Sequence, residues 1–495
     1  MGDVVVRAQQ GRVRGGATEH GFRFLGIPYA RPPAETGRFS APQPARPWDG
    51  VRDARQYGPN ALQVEQGGII AREPMRAGED CLNLNVFTPT LGPAGLPVFF
   101  WVHGGGYTAG CNASRWYDGK KFARDGVVLV SINYRLGAQG FLLLPDAPPN
   151  RGVLDWVAAL EWVHENISAF GGDASKVTIA GQSSGGGACA TLLAVPRARS
   201  LFRGAICMSG SAELEKSVQK AEEVAIGMAA AADVKLTSHD FEQLPDKDLL
   251  KAQAYVLDAR SRNKDKAAVL DVSLEGPYLP FAPVVDGEVM TETVMQAASS
   301  PANKHVALLV GMTSDEYTAL MRGDHWLTRE LLEGSLRRTG APPDLVDQYL
   351  ALHQSDTAAD IAGQVKTDRG FRVPLHRLLE SWHKAGGTGF AYEFRWAPSD
   401  GDFAGLSVHA LDLPFAFDLL EVEGWTLAGS DPPQVLADAM HSSFVSFAKC
   451  MSPGWPEYEA GQRSTMVFDL PPHVEHNPMA LELGLWAPKS AEGAY

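Results

Sequence analysis

Apolar residues in the first 90 positions fall in brief runs separated by Gly and Pro, at residues 4–7, 12–14, 22–25 and 82–87, which predicts short strands. The pattern then changes. Val98-Phe99-Phe100-Trp101-Val102 is an unbroken apolar run ended by Gly104-Gly105-Gly106, and Val127-Val128-Leu129-Val130-Ser131-Ile132 is another. Short runs without alternation are typical of parallel strands covered on both faces. Val153, Val157, Leu160, Val163 and Ile167 recur three or four residues apart, so residues 152–170 read as an amphipathic helix stopped by Gly171-Gly172-Asp173. Strands follow at 177–180, 204–208, 306–310 and 390–394, with a helix of small residues from Ser184. Strand and helix in alternation predict an α/β fold, a mostly parallel twisted sheet flanked by helices.

Two charged, helical stretches, about 212–300 and 317–388, interrupt the alternation and carry proline loops such as 277–283 and Ala341-Pro342-Pro343. They read as insertions that build a cap or gorge wall. No repeat or low-complexity linker marks a boundary, so residues 1–495 are expected to form one domain.

Composition narrows the class. With 45% apolar and 21% charged residues the chain is an ordinary globular one, and disorder, collagen and coiled coil are excluded. Its 58 acidic against 44 basic side chains, a formal charge of −14, lack the basic footprint of a nucleic-acid binder. No apolar stretch reaches the roughly 18 residues of a membrane span. The N-terminus shows no basic segment followed by an apolar one, and five widely spaced cysteines without a C-x-x-C favour reduced thiols. The expected location is the cytoplasm, where the sequons at Asn112 and Asn166 are chance matches, with a secreted mature form as the alternative.

Gly181-Gln182-Ser183-Ser184-Gly185 matches G-x-S-x-G, a weak signal alone. Its setting strengthens it, because an apolar strand runs into the motif and Gly185-Gly186-Gly187-Ala188 follows. A sharp strand-to-helix turn tolerates only such small neighbours, and it would present Ser183 at a helix N-terminus. His103-Gly104-Gly105-Gly106 closes the earlier strand. Consecutive glycines let backbone amides approach an ester carbonyl, and the expected donors to its oxyanion are the amides of Gly105, Gly106 and Ser184. A serine hydroxyl needs a base, and the base needs an orienting acid, which in α/β-hydrolases follow in the order Ser, Asp/Glu, His. Asp315 and Glu316 both lie just past the strand at 306–310, and spacing does not choose between them. Eight histidines follow, of which His409 stands out because it lies after the strand at 390–394 and before Asp412-Leu413-Pro414.

Four segments together resemble the bacterial type-B carboxylesterases, the group of p-nitrobenzyl esterases related to cholinesterases. They are Phe24-Leu25-Gly26-Ile27-Pro28-Tyr29-Ala30 with Arg38-Phe39, Glu79-Asp80-Cys81-Leu82-Asn83-Leu84-Asn85-Val86, the HGGG and the elbow. Residues 311–316 and 409–414 agree with it, and the likeness spans about residues 4–450. The resemblance implies an α/β-hydrolase fold with Ser183 as nucleophile, Glu316 as acid and His409 as base. It also implies two buried structural ion pairs, Arg38 with Glu79 and Arg135 with Asp155. The chain departs from the family at Gln182 (usually Glu), Ser184 (usually Ala), Tyr317 and Ala410 (both usually Gly). Between Asp49 and Asp80 there is no tryptophan where cholinesterases place a choline-binding one, so cholinesterase activity is not expected.

The implied reaction is two-step acyl transfer on small to medium, uncharged esters, with no metal or organic cofactor. His473-Val474-Glu475-His476 reads as a surface loop in a Pro-flanked tail. Gln182, Tyr107, Phe281, Trp326, Phe403 and Phe415 are pocket candidates, and ordinary packing accounts for the aromatic ones equally well. The partner is a small-molecule ester, with no nucleic acid or membrane, and the chain is expected to be a monomer or weak homodimer. An aryl carbamate or amide hydrolase with the same triad, an interfacial lipase and a non-catalytic binding protein are the alternatives.

Overall fold

The computed structural model describes residues 2–64, 74–210, 212–258, 265–274, 278–422 and 426–486. The N-terminal pieces form an antiparallel run, β1 (Asp3–Ala8), β2 (Gly11–Thr18) and β3 (Gly21–Pro28), continued by β4 (Asn83–Thr88). The alternating segment supplies β5 (Leu96–Val102), β6 (Val128–Ile132), β7 (Gly172–Gln182), β8 (Gly204–Met208), β9 (Ala307–Thr313) and β10 (Gly389–Phe394). Two further strands, β11 (Thr465–Phe468) and β12 (His473–Glu475), complete the path. The order is β1-β2-β3-β4-β6-β5-β7-β8-β9-β10-β11-β12, with Val51–Asp53 beside β2 as the thirteenth strand. From β6 to β11 all neighbours are parallel.

The unbroken apolar runs are explained by the two cores they feed. Val98, Phe100 and Val102 of β5 enter one hydrophobic cluster, whereas Phe99 and Trp101 enter a second on the opposite face. β6 divides likewise, with Val128, Val130 and Ile132 on one side and Leu129 on the other. Helix Arg151–Asn166 packs Val153, Val157, Leu160 and Val163 into the first cluster, and helix Gln434–Cys450 packs Leu436, Met440, Phe444 and Phe447 into the second. The predicted helix over 152–170 tightens to a 3-10 turn at Ile167–Phe170, ended by Gly171 at φ 88°.

The two interrupting stretches are mostly helical and divide between two layers. Residues such as Met228, Leu249 and Val256 pack on the first sheet cluster, as does helix Val373–Lys384 through Leu375, Leu378 and Trp382. A third cluster stands apart and joins Leu270 and Leu274 of the first stretch to Leu332, Leu336, Tyr349, Ile361 and Val365 of the second. Residues 259–264 and 275–277, the start of the expected 277–283 loop among them, lie outside the described residues. Pro343 sits at the start of helix Pro343–Leu352, where its missing N–H is harmless.

Arg135 and Asp155 pair as expected, buried and bidentate, at 2.7 Å (Nη2–Oδ1) and 2.9 Å (Nε–Oδ2), and Arg135 also donates to the Ser40 carbonyl. Arg38 does not pair with Glu79. Glu79 is exposed, and the guanidinium turns to Asp246 (3.0 Å) and the Leu244 carbonyl (3.2 Å) instead. The histidine-rich tail is the edge strand β12 and not a loop, with His473 Nε2 3.2 Å from Glu475. Asp155→Asn leaves Arg135 buried without its counter-charge and is expected to cost about 3–5 kcal/mol, read as a lower urea midpoint at unchanged slope.

Candidate active site

Chain order reverses between β5 and β7, whose onward connections lead to opposite sides of the sheet. A crevice forms at the carboxyl ends of strands at such a point. β5 ends there in the HGGG loop and β7 ends there in the serine turn.

Ser183 lies between β7 and helix Ser184–Leu193 with φ 60° and ψ −129°, a conformation that costs a non-glycine residue about 1–3 kcal/mol. The turn is held from outside, since Ser183 N donates to the Met208 carbonyl at 2.8 Å and Gly187 N to the Ser183 carbonyl at 2.9 Å. A Cβ on Gly185 would stand 2.1 Å from the Val102 carbonyl oxygen, and one on Gly181 would stand 2.4 Å from Gly185. Glycine is therefore required for the helix to start against β5. Ser183 keeps a half-exposed side chain at the helix N-terminus, where unpaired amides favour negative charge.

The loop after β5 is fixed by His103 and Tyr134. Their rings stack at 4.6 Å, and the Tyr134 hydroxyl donates to the His103 carbonyl at 3.0 Å. Burial pushes the His103 imidazole down to about 4, so it is a neutral packing group. Gly105 has φ 113° and Gly106 φ 62°. Among the described residues no acceptor takes the N–H of either, which leaves both free for a ligand.

The two candidate acids diverge. Glu316 is buried, accepts from Thr313 N at 2.9 Å through Oε1, and takes the Nδ1 proton of His409 on Oε2. Asp315 accepts from Ser407 N (3.0 Å), the Ser314 hydroxyl (2.9 Å) and Gln364 Nε2 (2.6 Å), while its own N–H donates to the Ser407 carbonyl. Asp315 thus ties the acid turn to the histidine loop, and Glu316 faces the histidine. Burial pulls the His409 pKa down, but the Glu316 carboxylate outweighs it and the net shift is upward. With Nδ1 protonated toward Glu316, Nε2 carries the lone pair, and the Gln182 amide donates to it at 3.3 Å.

Sequence reasoning missed two neighbours. The Phe371 ring lies 5.7 Å from His409, on a π-turn at Asp368–Arg372 that carries no motif. Asp412 is fully buried, and burial together with Glu316 pushes its carboxyl up to about 7. The Tyr392 hydroxyl donates to it at 2.8 Å. Of the pocket candidates, only Gln182 touches His409. Tyr107 is turned into the core against Phe141 (5.0 Å) and Trp156 (5.9 Å), and Phe415 against Phe394 (4.9 Å) and Trp396 (5.2 Å). Phe281 is fully buried in the first cluster, Phe403 half-buried against the second, and Trp326 half-buried against the third beneath Lys266. Packing, the alternative for all five aromatics, is what their side chains do. Among the described residues no His, Cys, Asp and Glu are grouped to hold a metal ion.

Sheet order, serine turn and glycine loop make this an α/β-hydrolase. The chain belongs to the carboxylesterase family, whose model matches residues 2–486. It is 33% identical to the para-nitrobenzyl esterase of Bacillus subtilis (strain 168) over 96% of each chain. It is 32% identical to the fumonisin B1 esterase of Sphingopyxis macrogoltabida, over 88% of this chain and 81% of that one. A crystal structure of a Geobacillus stearothermophilus carboxylesterase superposes with a TM-score of 0.84 at 32% identity, covering 97% of this chain and 99% of that one. The protein is accordingly a serine esterase, and no described helix is long and apolar enough to cross a membrane.

Ala410, next to the histidine, is fully buried with φ 69°. This left-handed conformation is strained for any residue with a Cβ, so Ala410→Gly is expected to raise stability by up to about 1 kcal/mol. Thermal unfolding of the two proteins measures it, and an unchanged or lower midpoint would count against strain at this position.

Proposed function

We propose that Ser183, His409 and Glu316 are the catalytic triad of a carboxylesterase acting on small to medium, uncharged esters. The observation that carries the reading is the Glu316–His409 pair, whose Nε2 lone pair reaches the serine turn at Gln182. His409 Nε2 takes the hydroxyl proton as Ser183 attacks the ester carbonyl, and the amides of Gly105, Gly106 and Ser184 receive the oxyanion. Protonated His409, held by Glu316, gives its proton to the leaving alcohol. Water activated by the same imidazole then releases the acid.

The similarity to para-nitrobenzyl and liver-type carboxylesterases supports simple esters as substrates. Mouse cholinesterase is also similar, at 35% identity over 64% of this chain, but residues 49–80 hold no tryptophan for a choline cage. Gln182 favours a second reading within the class. A neutral amide beside the base, where the family has a carboxylate, accommodates polar or anionic acyl groups and aryl carbamates. The wide spacing of the cysteines, without a C-x-x-C, supports a cytoplasmic enzyme, which we take as one domain with helical insertions and as a monomer or weak homodimer.

Hydrolysis of p-nitrophenyl esters from acetate to decanoate tests the reading. Wild type turns over with an optimum chain length, and Ser183→Ala loses at least about 10³-fold in kcat; turnover surviving in that variant would falsify the assignment. The acid limb of kcat/KM is expected above pH 6.5, since the base works only unprotonated and its pKa is raised from that value. Gln182→Glu places a carboxylate against the imidazolium and moves the limb higher still, and matched esters and carbamates compared on both proteins read the preference. An unmoved limb and an unchanged preference together sink the role given to Gln182.

A further inference from the structure

The residue after the nucleophile carries a hydroxyl that the triad does not use. Ser184 is almost fully buried at the first position of the nucleophile helix, where the family usually has alanine. Its Oγ accepts the backbone N–H of Tyr107 at 3.3 Å. The Tyr134 phenol donates to the His103 carbonyl at 3.0 Å. His103 and Tyr107 are the two ends of the segment that holds Gly104, Gly105 and Gly106. The loop is therefore tied in the protein interior at both ends, to the nucleophile helix through Tyr107 N–H and to Tyr134 through the His103 carbonyl.

Other contacts fasten this loop to its own neighbours. Gly137 N donates to the Tyr107 carbonyl at 2.7 Å, and Thr108 N and Ala109 N donate to the Gly105 carbonyl. None of those reaches the nucleophile helix. The Ser184 side chain does, and the same residue supplies the third amide of the oxyanion site. We propose that the Ser184 hydroxyl is a positioning residue, setting the Gly105 and Gly106 amides against its own amide so that three donors converge on one oxygen. The proposal rests on the assignment of those amides to the oxyanion. It gives a function to the departure from alanine, because alanine leaves the buried Tyr107 N–H without an acceptor and the loop without its tie to the helix.

Loss of preorganisation shows in the transition state and not in substrate binding. Ser184→Ala is expected to lower kcat on p-nitrophenyl butyrate roughly tenfold with KM within about twofold. An aryl trifluoromethyl ketone, which forms a tetrahedral oxyanion on Ser183, should lose affinity by the same factor. Ser184→Cys keeps the size but hydrogen-bonds weakly and should behave like alanine. Rates are taken per active site titrated with a fluorophosphonate, so misfolded protein does not count. A merely structural serine would lower the unfolding midpoint yet leave kcat per site and the ketone's affinity unchanged, and that result overturns the proposal. Activity in Ser183→Ala overturns the triad itself. An inactive Ser183→Ala beside a fully active Ser184→Ala removes only the role given to the hydroxyl.

Discussion

The nucleophile helix can start where it does only because it meets the backbone of β5 with nothing but hydrogen between them. The Val102 carbonyl and the first turn of helix Ser184–Leu193 come so close that a Cβ at Gly185 would overlap the oxygen. That approach sets everything above it. It forces Ser183 into a positive-φ turn, it puts the HGGG loop beside the serine, and it lets a side chain on the helix reach the loop's backbone. The strain at Ser183 is local and small against the burial of the flanking strands, whose C-terminal halves are enclosed between two cores. A rigid sheet can therefore hold a turn that an isolated peptide would relax.

The electrostatics of the base follow from what surrounds it on three sides. Glu316 holds its Nδ1 proton, Asp412 stands behind as a second buried carboxyl with a pKa near neutrality, and Gln182 faces Nε2. Two carboxyl groups so near each other do not both ionise freely, which is why the charge of Glu316 is among the causes raising Asp412. A glutamate at position 182 would add a third. The neutral amide limits the negative charge around the imidazole.

Much of this was legible in the chain because it rests on local pattern. The runs at 98–102 and 127–132 announce strands buried on both faces, and small residues flanking a serine announce an elbow. Asp315 against Glu316 was not legible from spacing, since the two are adjacent past the same strand. What separates them is Ser407 and Gln364, distant in sequence and adjacent in space, which claim the Asp315 carboxylate. The aromatic candidates could not be placed from sequence for a related reason. A phenylalanine near a motif is as readily core as pocket, and only the packing directions of Tyr107, Phe281 and Phe415 decide it. Arg38 was assigned its partner by analogy, and a turn at 244–246 that the analogy did not include took the guanidinium. Strands β11 and β12 are too short to rise above their surroundings.

The helical stretch at 358–372 is joined at several points to the segments that carry Glu316 and His409. Gln364 of helix Ala358–Thr367 bonds Asp315, and Gly363 of that helix meets Thr318 so closely that a Cβ would lie 2.4 Å from its Cα. One turn further on, the buried Arg372 pairs with Asp368, reaches Glu393 of β10 at 3.2 Å, and donates to the Ser314 carbonyl at 3.3 Å. A buried guanidinium in this setting is expensive to unpair, so these ties resist opening. Phe371 sits between them and is thereby held against His409. Helix Ala358–Thr367, the turn at Asp368–Arg372 and the segments that carry Glu316 and His409 are thus parts of one hydrogen-bonded body. The segment from Ala358 to Arg372 connects to the Glu316 turn and the His409 loop through Asp315 and Ser314.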